Sequence, residues 1–167
     1  MKKLLVLLAA AAMMFSMSAC GNKNVTKSDI DKVEGQKVTE SQSSGVTSEE
    51  AGDYDISIEN AKVIDTDEGK AILVEYKFKN HTKTEQSFDG IYGTEASQNE
   101  STLTPASAVM PADGIDITSA VKPVGKNEVA VAQKYYLLDD EETDVVVTVT
   151  RNGDDPGSPI SKTFTIK

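Results

Sequence analysis

The chain predicts an all-β fold, an antiparallel immunoglobulin-like β-sandwich of about seven or eight strands. Three observations lead there. Apolar residues recur at every second position, as in Tyr54, Ile56, Ile58 and again in Ile72, Val74, Tyr76, Phe78. Turn-forming clusters break these runs at short intervals: Asp65-Thr66-Asp67-Glu68-Gly69, Asp139 to Thr143, and Asn152-Gly153-Asp154-Asp155-Pro156-Gly157. Residues 53–167 carry no convincing helical period. A stretch of this length can bury an adequate core without cross-links. A small closed barrel is the alternative fold.

The elements follow in order. Tyr54, Ile56 and Ile58 alternate with Asp55, Ser57 and Glu59, and Asn60 reads as a bend before a second run, Ala61 to Ile64. Lys70 to Lys79 is the clearest strand, with Ile72, Val74, Tyr76 and Phe78 on one face and Glu75, Lys77 and Lys79 on the other. Asn80 to Thr84 is polar and reads as a loop. Phe88 to Ser97 and Ser101 to Pro105 pair as a hairpin turning at Gln98-Asn99-Glu100. Residues 106–119 are irregular, with Pro111 and Asp113-Gly114 as breakers. Val121 to Gly125 turns into a long strand, Glu128 to Leu138. Both faces of that strand are apolar, which predicts a central position, with a loop laid over its outer side. Val145, Val147 and Val149 share one side of the next strand, and Ile160, Phe164 and Ile166 lie on the last.

The first twenty residues give an address. Lys2 and Lys3 precede an apolar run from Leu4 to Phe15, and Met17-Ser18-Ala19-Cys20 follows. That run is shorter than the ~20 apolar residues needed to span a bilayer. Small residues directly before the chain's single cysteine match a bacterial lipobox, with Met17 where leucine is usual. The expectation is a signal peptide over residues 1–19 and a diacylglyceryl group on Cys20, holding the chain on the outer face of a bacterial cell membrane. An ordinary secretory signal is the rival reading. Residues 20–52 have no aromatic and no apolar period, and so read as an acylated cysteine on a disordered tether. A short helix over residues 28–37 is the alternative there. The folded domain is then 53–167.

The formal charge is −10, and loss of residues 1–19 removes Lys2 and Lys3 but no acid. So acidic a chain is a poor partner for nucleic acid.

The strand Ala71 to Asn80, the segment Gln86-Ser87-Phe88, the hairpin Gln98-Asn99-Glu100-Ser101 with Leu103, and Lys122-Pro123-Val124-Gly125 leading to Tyr136-Leu137-Leu138-Asp139 resemble a family of Gram-positive lipoproteins. That family is known only as domain of unknown function number 5067. The resemblance covers residues 54–167, implies an immunoglobulin-type sandwich and brings no catalytic residues. Where such sequences commonly carry glycine in the hairpin, this chain has Glu100.

The residues themselves offer little for catalysis. His81 is the only histidine, in a predicted loop, and no G-x-S-x-G elbow is present. Asp65, Asp67, Asp139 and Asp140 are the candidate metal ligands, but a calcium loop counted from Asp65 has Lys70 at its sixth position and Tyr76 at its twelfth. No metal or cofactor is expected. Phe88, Ile91 and Tyr92, in a Gly-flanked stretch, are the candidate contacts for an envelope protein or polymer, with the core as the other and favoured place for Phe88 and Tyr92. The functional expectation is a non-enzymatic binding or structural module, the alternative an ion- or solute-binding sensor built on the acidic turns.

Overall fold

The computed structural model describes residues 36–37, 39–40 and 48–166 apart from 108, 111 and 155. The signal peptide, Cys20 and the alternative helix over 28–37 all lie wholly or almost wholly outside the described residues.

Among the described residues ten strands form two antiparallel sheets. They are β1 (Gln36–Lys37), β2 (Thr39–Glu40), β3 (Ser48–Ala51), β4 (Tyr54–Thr66), β5 (Gly69–Asn80), β6 (Tyr92–Gln98), β7 (Ser101–Thr102), β8 (Val129–Leu137), β9 (Val145–Arg151) and β10 (Ile160–Thr165). The first sheet runs β1-β4-β5-β8, with β3 also on β4; the second runs β2-β10-β9-β6-β7. β5 pairs with β8 in one sheet, while β6 pairs with β9 and β9 with β10 in the other. From β4 onward the chain therefore crosses between sheets after β5, after β7 and after β8, which is the immunoglobulin Greek key without its fourth edge strand.

Two sequence expectations about strand limits change. Three short strands precede Asp53, in the stretch read as a disordered tether: β1 pairs with Lys62 and Val63, β2 with Phe164 and Thr165, and β3 with residues 54–57. Edge pairing uses main-chain N–H and C=O groups, so it needs no apolar period in the added strand. Nor does Asn60 end a strand. β4 is continuous and carries a bulge between Ile58 and Ala61. The extra residue shifts the inward phase from Tyr54, Ile56 and Ile58 to Ala61 and Val63. From the opposite sheet Lys162 Nζ donates to Glu59 O at 2.6 Å and Ile58 O at 3.3 Å, fixing the bulge.

The core lies between the sheets. Ile56, Ile72, Val74, Phe78, Val145, Val147 and Phe164 are buried there. A second apolar cluster, Ile64, Ala71, Leu73 and Tyr135, sits on the outer face of the first sheet, under Ala106, Val109 and Ile115. This is the covering loop predicted from the two apolar faces of residues 128–138. The central position expected for that strand is not found: β8 is the edge of its sheet. Irregular chain replaces the missing neighbour, with Ala106 N donating to Tyr135 O and Leu137 N to Thr104 O.

The hairpin β6–β7 turns on two residues with positive φ, Asn99 at 49° and Glu100 at 65°. This is the type I′ geometry, whose second position favours glycine. Glu100→Gly is expected to raise stability by about 1 kcal/mol, read as a thermal midpoint a few degrees higher.

Candidate functional site

Three amides sit in the inward or covered phase of strands, where the neighbours in phase are apolar. Asn80 ends β5 in phase with Tyr76 and Phe78 and is fully buried. Its Nδ2 donates to Thr84 O and Val124 O, both at 2.8 Å, and its Oδ1 accepts from Thr82 N and Thr82 Oγ1. Gln98 ends β6 and is 1% exposed. Its Nε2 donates to Thr143 O and Asp140 O, and its Oε1 accepts from Asp139 N at 2.8 Å. Gln133 in β8 accepts from Asp116 N and Tyr135 Oη and donates to Gly114 O and Glu75 Oε1. Each amide satisfies both its own polar ends and otherwise unmet loop groups. The result is three loops, 81–84, 113–119 and 139–143, held in fixed shapes on a rigid sandwich. Sequence reasoning missed all three amides. Their signal is a polar residue in an apolar phase.

Among the described residues the candidate acids Asp65, Asp67, Asp139 and Asp140 are not grouped in one place. Asp65 pairs with Lys70 at 2.8 Å. Asp140 accepts from Glu142 N and Thr143 N through Oδ1 and from Thr143 Oγ1 through Oδ2. Those main-chain donors, Thr143 first, hold its carboxyl below the usual carboxylate range. Asp67 and Asp139 are exposed. Among the described residues no three acidic, His or Cys side chains are grouped to hold a metal ion. Millimolar calcium is expected to leave the thermal midpoint unchanged, because a ligand of the native state alone would raise it. A depressed carboxyl adds stability that is present above its unfolded value and lost as pH falls through the folded one. Amide resonances of Glu142 and Thr143 are accordingly expected to shift only at pH below the usual carboxylate value.

Of the candidate contacts, Phe88 and Tyr92 lie in the core, the other reading the sequence left open for them, and Ile91 is half-buried. Phe88 is 1% exposed and Tyr92 4%, and Ile91 packs against the same cluster. Residues 88–91 form one helical turn, α1 (Phe88–Ile91), rather than a strand start. Ser87 Oγ accepts from Gly90 N and caps it. The turn points Phe88 inward onto Tyr76, with ring centroids 5.0 Å apart, and onto Phe78 and Tyr92. The predicted hairpin strand therefore starts at Tyr92.

Where α1 meets β8, Lys134 Nζ binds both oxygens of Asp89, at 2.9 and 3.0 Å. Behind this pair Tyr136 Oη donates to Thr94 Oγ1 at 2.6 Å. The Tyr76 hydroxyl is buried beside them. Burial pushes the Tyr76 phenol well up, so it stays protonated. These are hydrogen-bonding groups without an activated nucleophile. His81 Nε2 lies 2.8 Å from Asp55 Oδ2, and its main chain N–H donates to Asp53 O, so the one histidine ties a loop to β4.

The fold has a counterpart among solved structures. A protein described as "a putative lipoprotein" from Staphylococcus aureus superposes with a TM-score of 0.53 at 13% identity, over 77% of this chain and 92% of that one. An uncharacterized beta-sandwich protein from Clostridium difficile gives a TM-score of 0.48 at 13% identity, over 82% and 99%. No curated protein matches the chain. The family model for the Domain of unknown function (DUF5067) matches residues 25–151, from ahead of β1 to the last residue of β9. That span is about three quarters of the chain, and it reaches further toward the amino end than the strand and turn patterns suggested. The chain belongs to the DUF5067 family.

Proposed function

We propose that the protein is an extracytoplasmic lipoprotein, anchored through a diacylglyceryl group on Cys20. Its sandwich works as a non-enzymatic binding or structural module toward an envelope protein or polymer. One observation carries this reading. A short apolar run ends in Met17-Ser18-Ala19-Cys20, and Cys20 is the only thiol in the chain. The description of the Staphylococcus aureus neighbour as a lipoprotein supports the same anchoring. The binding role draws support from Asn80, Gln98 and Gln133, whose polar atoms are spent on holding loops in place. The chain is thereby built to present fixed surfaces.

The test is metabolic labelling of the full chain with an alkyne fatty acid in a Gram-positive host. The wild type is expected to carry label and to stay with the membrane fraction. Cys20→Ser is expected to lose the label and to appear in the medium. Equal labelling of both, or none of either, would overturn the anchoring.

A further inference from the structure

An asparagine followed by glycine is the pair best suited to closing a cyclic imide, because glycine puts no side chain beside its main-chain nitrogen. Asn152-Gly153 is such a pair, and the structure sets it where the reaction has room. Asn152 directly follows Arg151, the last residue of β9, and both Asn152 and Gly153 are exposed. Among the described residues no hydrogen bond holds Gly153 N. A Cβ added to Gly153, whose φ is 120°, would meet no atom within 4 Å. The amide that must leave is loosely held. Asn152 Nδ2 donates only to Asp89 O, at 3.4 Å, which is long for a hydrogen bond.

Asn80 shows the opposite arrangement. Its Nδ2 donates to Thr84 O and Val124 O at 2.8 Å each, and the nitrogen that would attack, His81 N, donates to Asp53 O at 2.8 Å. Its side chain is fully buried. The same attack there first breaks all of these bonds.

We propose that Asn152 is a site of spontaneous covalent modification, converted by water to isoaspartate and aspartate, and that the change loosens α1 from the end of β9. Gly153 N gives up its proton and attacks Asn152 Cγ. The N–Cγ bond forms, the Cγ–Nδ2 bond breaks, and ammonia leaves with that proton. Water then opens the ring at either carbonyl. One opening gives aspartate, and the other gives isoaspartate, with the main chain rerouted through the side-chain methylene. One water is consumed and one ammonia released, and nothing is oxidised or reduced. The consequence follows from what Asn152 holds. Its N donates to Ile91 O at 2.8 Å and its Nδ2 to Asp89 O, so it ties down α1, the turn that carries Phe88. The product has lost the Nδ2 donor and sets a carboxylate near Asp89 O, acceptor against acceptor.

The test is incubation of the mature chain at mildly alkaline pH, followed by proteolysis and mass spectrometry. The peptide holding Asn152 is expected to gain the mass of OH in place of NH2 and to split into two chromatographic forms, one a substrate of an isoaspartyl methyltransferase. Asn152 is expected to react faster than Asn80 by roughly tenfold or more, the factor that a net hydrogen bond on the leaving amide supplies. The rate is expected to rise with pH, because the attacking nitrogen must lose its proton. The aged protein is expected to melt a few degrees below the fresh one. Asn152→Gln keeps an amide but closes a larger ring slowly, so it is expected to give no product and to hold its midpoint over time. If that variant folds poorly, a synthetic peptide of residues 148–158 decides the matter, since folded chain and peptide are expected to react at similar rates. Reaction in the peptide but not in the chain would overturn the proposal. So would equal rates at Asn80 and Asn152, a rate indifferent to pH, or modified protein that melts with the fresh sample.

Discussion

Phe88→Ala is expected to destabilise the protein by about 3–5 kcal/mol, the usual cost of emptying a buried aromatic site. The ring is almost fully enclosed and meets three others, with centroids 5.0 Å from Tyr76, 5.9 Å from Tyr92 and 6.2 Å from Phe78. Aromatic pairs of this kind add stabilisation beyond burial alone. α1 is held in place by Lys134 on both oxygens of Asp89 and by Asn152 N on Ile91 O, so the turn cannot readily move into the space the ring leaves. A residue used only for surface contact would change stability by about 0.5 kcal/mol or less. Urea unfolding separates the two outcomes, and a loss below about 1 kcal/mol would remove Phe88 from the core. For a domain at the lower end of the usual range, about 5 kcal/mol, the expected loss leaves a protein that is partly unfolded or close to it.

The fold class was legible because a half-buried strand writes its two faces directly into the sequence. Ile72, Val74, Tyr76 and Phe78 in β5 show this, as do Val145, Val147 and Val149 in β9. Even the bulge in β4 left a trace, since the apolar phase slips from Ile58 to Ala61. The covering loop over the first sheet was legible from the second apolar face of β8. What failed were properties that side-chain pattern does not encode. β1, β2 and β3 join through main-chain bonds, so their composition looked like tether. Whether β8 is central or at an edge depends on which chain lies beside it, and two apolar faces are compatible with both. Whether Phe88 and Tyr92 are core or contact was left open because Gly90 and Gly93 interrupt the pattern. One helical turn capped by Ser87 turns the stretch inward. The amides were hidden for another reason. A polar residue at a strand end reads as the start of a loop, and only the loop's own unmet carbonyls reveal that it must be buried.

Asn80→Ala tests that last point and is expected to cost about 2–4 kcal/mol. The substitution leaves the main chain as it is: Asn127 N still donates to Asn80 O, and Asn80 N still donates to Glu128 O. Only the amide is lost. Val124 O, inside the core boundary, then keeps only the longer bond from Gln86 N at 3.2 Å, and the turn 82–84 loses the acceptor for Thr82 N and Thr82 Oγ1. Water can replace part of the exposed bonds at Thr82 and Thr84, but it reaches Val124 poorly, because that residue is only 4% exposed. Asn80→Asp separates hydrogen bonding from shape. The aspartate keeps an acceptor for Thr82 but directs a second oxygen at the carbonyls of Thr84 and Val124, setting an acceptor against two acceptors. It is expected to be less stable than the alanine variant at neutral pH. It should recover as pH falls and the carboxyl gains a proton that can donate to one of them. If both variants melt together at every pH, the amide is not what holds the 81–84 loop against Val124. The rigid presentation of that end of the sandwich would then need another cause.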